Sequence, residues 1–300
     1  MTAPHTGAAP IRWQRYVAIG DSMTEGLWDE TGPTTNSAGQ DPASSAVEPA
    51  LRGWADRLAE ALSTRRMHDG AAPLAYANLA VRGRLLGPIT TEQLPKALAA
   101  TPDLISIVGG GNDLLRPNAS PDRLAGQLER AVRTARATGS DVLLATGADT
   151  RFAPLLAAIR PKVAVFNAHV WSIARRTGAH VVDVWGLRAL QDERMWAEDR
   201  IHLTPEGHHR VAQAALVGLG LEPDDADYAA PLPARVRVSG ARRQKLRRDV
   251  TWLREDVGPW AARHLRGHSS GDGRGPKRPE LTPVTPGAGG LHDQAASPRD

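Results

Sequence analysis

The stretch RYVAIGDSMTEGLW (residues 15–28) sets a strand and a helix start back to back. RYVAIG (15–20) is a short apolar run closed by glycine, the pattern of a buried strand. Ser22-Met23-Thr24-Glu25 then fits the capping box, in which Ser22 accepts from the backbone N–H three residues on and Glu25 reaches back. The same letters leave Ser22 two readings, helix cap or nucleophile, and the rest of the chain has to decide between them.

Outward from this unit the alternation continues. LAYANLA (74–80), DLISIVGG (103–110), DVLLATG (141–147) and HVVDVW (180–185) read as further strands. Helical apolar spacing runs through RGWADRLAEALSTRR (52–66), TTEQLPKALAA (90–100), PDRLAGQLERAVRTARATG (121–139) and RPKVAVFNAHVWSIARRTG (160–178). A last helix is expected over TPEGHHRVAQAALVGLG (204–220), with Thr204 as N-cap and Pro205 in the first turn. Five strands alternating with helices predict an α/β fold, a parallel sheet covered on both faces. Sites in such sheets form beyond the carboxyl ends of the strands.

The 300 residues, 41% of them hydrophobic, suffice for at least one full core, and one large domain with an appendage fits the pattern. Cysteine is absent, which excludes disulfides, thiol catalysis and thiolate metal sites. No run approaches the roughly 20 apolar residues that cross a bilayer, and MTAPHTGAAPIRWQRY has no continuous apolar segment, so a soluble cytoplasmic protein is expected. The net charge of +4 is unevenly spread: residues 1–232 hold 23 Lys and Arg against 26 Asp and Glu, whereas 233–300 hold 14 against 7. The basic character therefore belongs to the tail.

Three more stretches bear on Ser22. NLAVRG sets Gly83 just after a strand, VGGGND sets Asn112 at another strand end, and DRIH sets Asp199 and His202 just before the last helix. All fall on the strand-exit side of the sheet, as one site built from distant segments requires. VGGGND lacks the G-x-G-x-x-G spacing and the Walker Lys-Ser/Thr, so a nucleotide loop is not indicated. Read alone, Ser22 is a helix cap; read with Asn112, Asp199 and His202, it is a nucleophile.

In these four blocks the chain resembles the SGNH hydrolases, also called the GDSL family of esterases and lipases, and GDSMTEGLWD, RGWADRLA and NLAVRGRLLG are similar to its actinobacterial members. The resemblance implies a three-layer α/β/α, flavodoxin-like fold with a five-stranded parallel sheet. It implies a serine acyl-hydrolase of the esterase or lipase type, with Ser22 as nucleophile, His202 as base and Asp199 orienting it. The oxyanion donors it implies are the backbone N–H groups of Ser22 and Gly83 and the side-chain amide of Asn112. Asp21 and Asp113 are expected to orient the loops that hold Ser22 and Asn112. A serine hydroxyl needs such a base, and an imidazole with an ordinary pKa of about 6.5 accepts and returns a proton near neutrality. Glu25 is expected to cap the first helix even when Ser22 is the nucleophile.

The expected organisation is a flexible N-terminus over 1–13, the hydrolase domain over 14–222, a basic and partly helical extension over 223–266, and a disordered tail over 267–300. Leu246, Val250 and Leu253 give the extension its helical spacing. Its charge suits weak contact with an anionic membrane surface or RNA, while Trp252 and Trp260 serve equally well to dock it on the main domain. The Gly-, Pro-, Ser- and Thr-rich segment 28–51 reads as a long loop, either flanking a substrate cleft or a disordered insertion. His208 and His209 raise a metal reading beside Asp199 and His202, but adjacent helical histidines point in different directions. Neither metal nor cofactor is expected, and the substrate is a small-molecule acyl ester. Two alternatives remain: acyl transfer by the same site, and a binding protein that acts through its basic tail.

Overall fold

The computed structural model describes residues 11–31, 50–233 and 271–285. In chain order its helices and strands are β1 (Arg15–Ile19), α1 (Ser22–Glu25), β2 (Glu30–Thr31), β3 (Ala50–Leu51), α2 (Trp54–His68), β4 (Ala75–Asn78), α3 (Leu86–Pro88), α4 (Leu94–Ala99), β5 (Leu104–Ile107), α5 (Gly111–Leu114), α6 (Pro121–Ala137), β6 (Asp141–Ala145), α7 (Pro154–Ala157), α8 (Arg160–Thr177), β7 (His180–Val182), α9 (Pro205–Gly218) and β8 (Arg278–Pro283). The main sheet has the order β7-β6-β5-β1-β4-β8. From β7 to β4 it is parallel, and β8 joins β4 antiparallel.

Alternate strand residues feed two cores. Tyr16 and Ala18 face one side with Tyr76 and Leu143, against α2 and α9. Val17 and Ile19 face the other with Ile105 and Leu144, against α4, α6 and α8. Along α6, Leu124, Leu128, Val132 and Ala135 form one buried stripe, and each buried Leu or Val contributes roughly 1.5–3 kcal/mol. The result is the three-layer α/β/α fold. After β1 the chain goes to β4 on one side and then to β5, β6 and β7 on the other, so the crevice beyond β1 and β5 is the switch point where such sheets place a site.

Each of the five expected strands is present, but shorter. The run read as 103–110 ends at Ile107, because Gly110 takes a left-handed φ of 97° and opens α5. The run read as 74–80 ends at Asn78, whose side chain accepts from Ala80 N at 3.1 Å and donates to Thr24 O at 2.8 Å. Helical structure begins at Leu86, ahead of the expected residue 90, and passes through a π turn at Ile89–Gln93 before α4.

Two expectations for the ends of the chain need correction. The disorder expected over 267–300 does not hold for 271–285, which contains β8. Flexibility expected over 1–13 does not hold at Trp13, whose ring is buried and whose Nε1 donates to Asp141 Oδ2 at 2.8 Å. The long loop 28–51 leaves and re-enters through the antiparallel pair β2–β3, and its residues 32–49 lie outside the described residues, as does the basic helix expected around Leu246, Val250 and Leu253.

Candidate active site

Gly20 leaves β1 where a Cβ would fall 2.6 Å from both Thr24 Oγ1 and Val108 O, so only glycine lets α1 close onto the strand ends. Asp21 is the N-cap, with Oδ1 accepting from Met23 N at 3.1 Å. Ser22 is therefore the first helical residue and not the cap, and Glu25 does not reach back. This corrects both halves of the capping box. Asp21 supplies the capping oxygen one residue earlier, and Glu25 is drawn away to Arg82: its Oε2 accepts from Arg82 N and its Oε1 from Arg82 Nη2, both at 2.6 Å.

The turn before α9 brings Asp199 and His202 to the start of α1. His202 Nε2 lies 2.8 Å from Ser22 Oγ, and His202 Nδ1 lies 2.6 Å from Asp199 Oδ2. An ionised carboxylate can only accept, so in the neutral imidazole the proton sits on Nδ1 and Nε2 offers its lone pair to the hydroxyl. Asp199 Oδ1 also accepts from Ile201 N and His202 N, each at 3.0 Å, in a turn that Arg200 makes with a left-handed φ of 56°. Burial pushes the Asp199 pKa up, but the hydrogen bond and charge of His202 and the two backbone N–H groups outweigh it and hold the carboxyl below its ordinary value.

Asn112, in α5, stands across the crevice. Its Nδ2 donates to Arg84 O at 3.0 Å and faces Asp21 Oδ2 at 3.4 Å. Gly83 takes a left-handed φ of 72° between two anchored neighbours, Arg82 on Glu25 and Arg84 on Asn112. Asp113 ties the same segment from the other end, accepting from Leu86 N at 2.9 Å. Burial raises the pKa of Asp113, and it raises that of Asp21 to about 6 against the opposing pull of Met23 N and the His202 charge.

Ser22 and Asn112 line a cavity of about 200 Å³ that runs past the ends of β5, β6 and β7. Its walls are largely apolar, among them Val108, Ile159, Val163, Phe166, Val184 and Trp196. Gly83 is not among the lining residues.

Sequence reasoning missed one residue that shapes this site and left another without a role. Gln93 clamps Gly20 with two bonds, Oε1 accepting from Gly20 N at 2.8 Å and Nε2 donating to Gly20 O at 2.9 Å. The only sequence hint was a polar residue in an otherwise apolar helical face. His208, for which the sequence offered a metal reading that was set aside, is a buried strut: Nδ1 accepts from Trp54 N at 3.2 Å and Nε2 faces Leu27 O at 3.3 Å. A carbonyl can only accept, so the proton is on Nε2 and the ring is neutral; burial pushes its pKa down to about 3. His209 points elsewhere, to Asp225 Oδ2 at 3.3 Å. Among the described residues no group of three or more potential ligands could hold a metal ion.

Comparisons place this geometry among known proteins. Solved structures with a similar fold include LAE5, an alpha/beta hydrolase enzyme from the metagenome of Lake Arreo, Spain, with 23% identity, a TM-score of 0.55, and coverage of 69% of this chain and 95% of that one. A variant of Axe2, an acetyl xylan esterase from Geobacillus stearothermophilus, has 19% identity, a TM-score of 0.55, and coverage of 71% and 97%. TesA has 23% identity, a TM-score of 0.50, and coverage of 69% and 98%. At these identities the likeness is one of fold. No curated protein matches the chain. The model of the GDSL-like Lipase/Acylhydrolase family, however, matches residues 18–210, a span that holds every residue of the site just described. The chain belongs to that family and is an ester-hydrolysing enzyme.

Proposed function

We propose that this enzyme cleaves carboxylic esters through an acyl-enzyme on Ser22, and that its acyl group is a medium-length aliphatic chain. The observation that supports the first half is the unbroken relay from Asp199 through His202 to Ser22, with links of 2.6 and 2.8 Å. Ser22 Oγ attacks the ester carbonyl as His202 Nε2 takes its proton, and Asp199 holds the Nδ1–H tautomer and stabilises the imidazolium. The proton passes to the leaving alkoxide, and water activated by His202 then releases the acid. The oxyanion is held by Ser22 N–H at the open N-terminus of α1, by Gly83 N–H and by Asn112 Nδ2, whose orientation is fixed by Arg84 O.

The apolar cavity beside Ser22 supports the second half. A volume of about 200 Å³ holds roughly seven water-sized units, and a methylene is of similar size. Each methylene taken from water contributes about 0.8 kcal/mol, a rise of roughly fourfold in kcat/KM. Across p-nitrophenyl esters, kcat/KM is expected to climb from acetyl to about hexanoyl or octanoyl and then fall. Ile159→Trp, which fills the cavity, shifts the optimum to shorter chains. A flat profile or an acetyl optimum in the wild type would remove the acyl-chain reading in favour of deacetylation. Full turnover in Ser22→Ala would remove Ser22 as the nucleophile.

A further inference from the structure

The segment 271–285 lies beyond the span of the family match, yet it touches both supports of the helix that starts at Ser22. α1 is only four residues long and is held at its far end in two places. One is Glu25 on Arg82, already described. The other is Gly26, packed so closely on Gly53 that a Cβ at Gly26 would fall 2.4 Å from Gly53 N.

Gly271 is buried against the first support: a Cβ there would fall 2.1 Å from Arg82 O, the residue before Gly83. Lys277 reaches the second. Its Nζ donates to Asp56 Oδ2 at 2.6 Å and to Leu51 O at 2.9 Å, and the same Asp56 oxygen accepts from Gly53 N at 2.9 Å. Downstream, β8 fixes the segment to the sheet edge, with Val284 N donating to Leu74 O at 2.8 Å and Ser63 Oγ donating to Val284 O at 2.5 Å. β8 alone would serve to cover the edge of β4. Gly271 and Lys277 lie outside the β4 pairing and meet the two supports of α1 instead.

We propose that residues 271–277 are a positioning strap for the active site, with Gly271 seating the Gly83 loop and Lys277 holding the Gly53 support of α1. This rests on the reading of Ser22 and Gly83 given above. Displacing a preorganised reacting group by about an ångström costs up to roughly a hundredfold in rate without weakening substrate binding. In the full-length protein, Gly271→Ala and Lys277→Met are therefore expected to lower kcat for a p-nitrophenyl ester by about tenfold to a hundredfold, with KM within about twofold of wild type. Lys277→Arg, which can still reach Asp56, should recover most of the rate. Leu281→Ala, which alters β8 packing alone, should lower the melting temperature and leave kcat unchanged below it.

If both strap variants melt earlier like Leu281→Ala but keep wild-type kcat while folded, the strap is structural only and the proposal is overturned. Should Gly271→Ala not fold, the Lys277 pair still decides. A parallel Ser22→Ala assay separates the two readings: turnover that ignores Ser22 rejects the nucleophile, whereas a Ser22-dependent rate that ignores Lys277 rejects the strap.

Discussion

At the scale of single residues, Gly83 separates two physical reasons for a glycine. In the oxyanion role proposed for its N–H, one is steric, since no Cβ would stand between that group and a substrate. The other is conformational, because its φ of 72° is left-handed and costs an ordinary L-residue roughly 1–2 kcal/mol. Asn tolerates that conformation better than Ala but is bulkier. If φ dominates, Gly83→Asn keeps more activity than Gly83→Ala; if approach dominates, the order reverses. The neighbours favour the first outcome: Arg82 and Arg84 are both anchored, so a shift in φ at residue 83 must turn its N–H away. Gly83→Ala is expected to lower kcat by at least about tenfold, toward the roughly 3–4 kcal/mol that one lost oxyanion donor costs, with Gly83→Asn in between. Steady-state kinetics of the two variants check this, and Asn below Ala would reject it.

At the scale of elements, α1 is too short to stand as a helix by itself. Its end is secured by the ion pair of Glu25 and Arg82, whose side chains are only 9% and 16% exposed. Removing one partner of a largely buried ion pair costs up to about 3–5 kcal/mol. Glu25→Ala should therefore lower stability by up to that much in urea denaturation and reduce kcat, while Glu25→Gln, which keeps an acceptor, should lose less of both. A loss below about 1 kcal/mol for Glu25→Ala would show that α1 is held by something else. Asp21, a good cap residue directly before Ser22, already argued against reading Ser-x-x-Glu as the cap, but no local pattern names Arg82, 57 residues away, as the partner of Glu25. The parallel strands were legible because each is buried on both faces and so reads as a plain apolar run. β8 was not: RPELTP carries Pro279 and Pro283, which an edge strand tolerates but which read as loop. That Ser22, Asp199 and His202 would meet was legible through the blocks that carry the family resemblance. Gln93 and Lys277 were not, since they act on backbone groups of distant segments that no local pattern names.

At the scale of the whole molecule, His208 joins three distant parts of the chain, α9, the start of α2 and the turn after α1. It does so only as a neutral ring, and this couples global stability to pH. Its folded pKa is about 3, below the ordinary 6.5. As pH falls below about 6.5 the unfolded chain takes up a proton that the folded chain refuses, and stability drops by about 1.4 kcal/mol per pH unit until pH nears 3. Asp21 acts with the opposite sign. Burial raises its folded pKa to about 6 from 3.8, so between those values the folded chain binds a proton that the unfolded chain does not, and stability rises as pH falls. The two contributions largely cancel between about pH 4 and 6, and single variants should expose each of them. His208→Gln, which can accept from Trp54 N and donate to Leu27 O, should remove the acid-destabilising slope, so that stability holds or rises on going from pH 6.5 to 4.5. Asp21→Asn should remove the offset and steepen the loss over the same range. Urea denaturation at half-unit pH steps measures both slopes, and parallel curves for wild type and His208→Gln would show that the buried ring is not what links these three segments to pH.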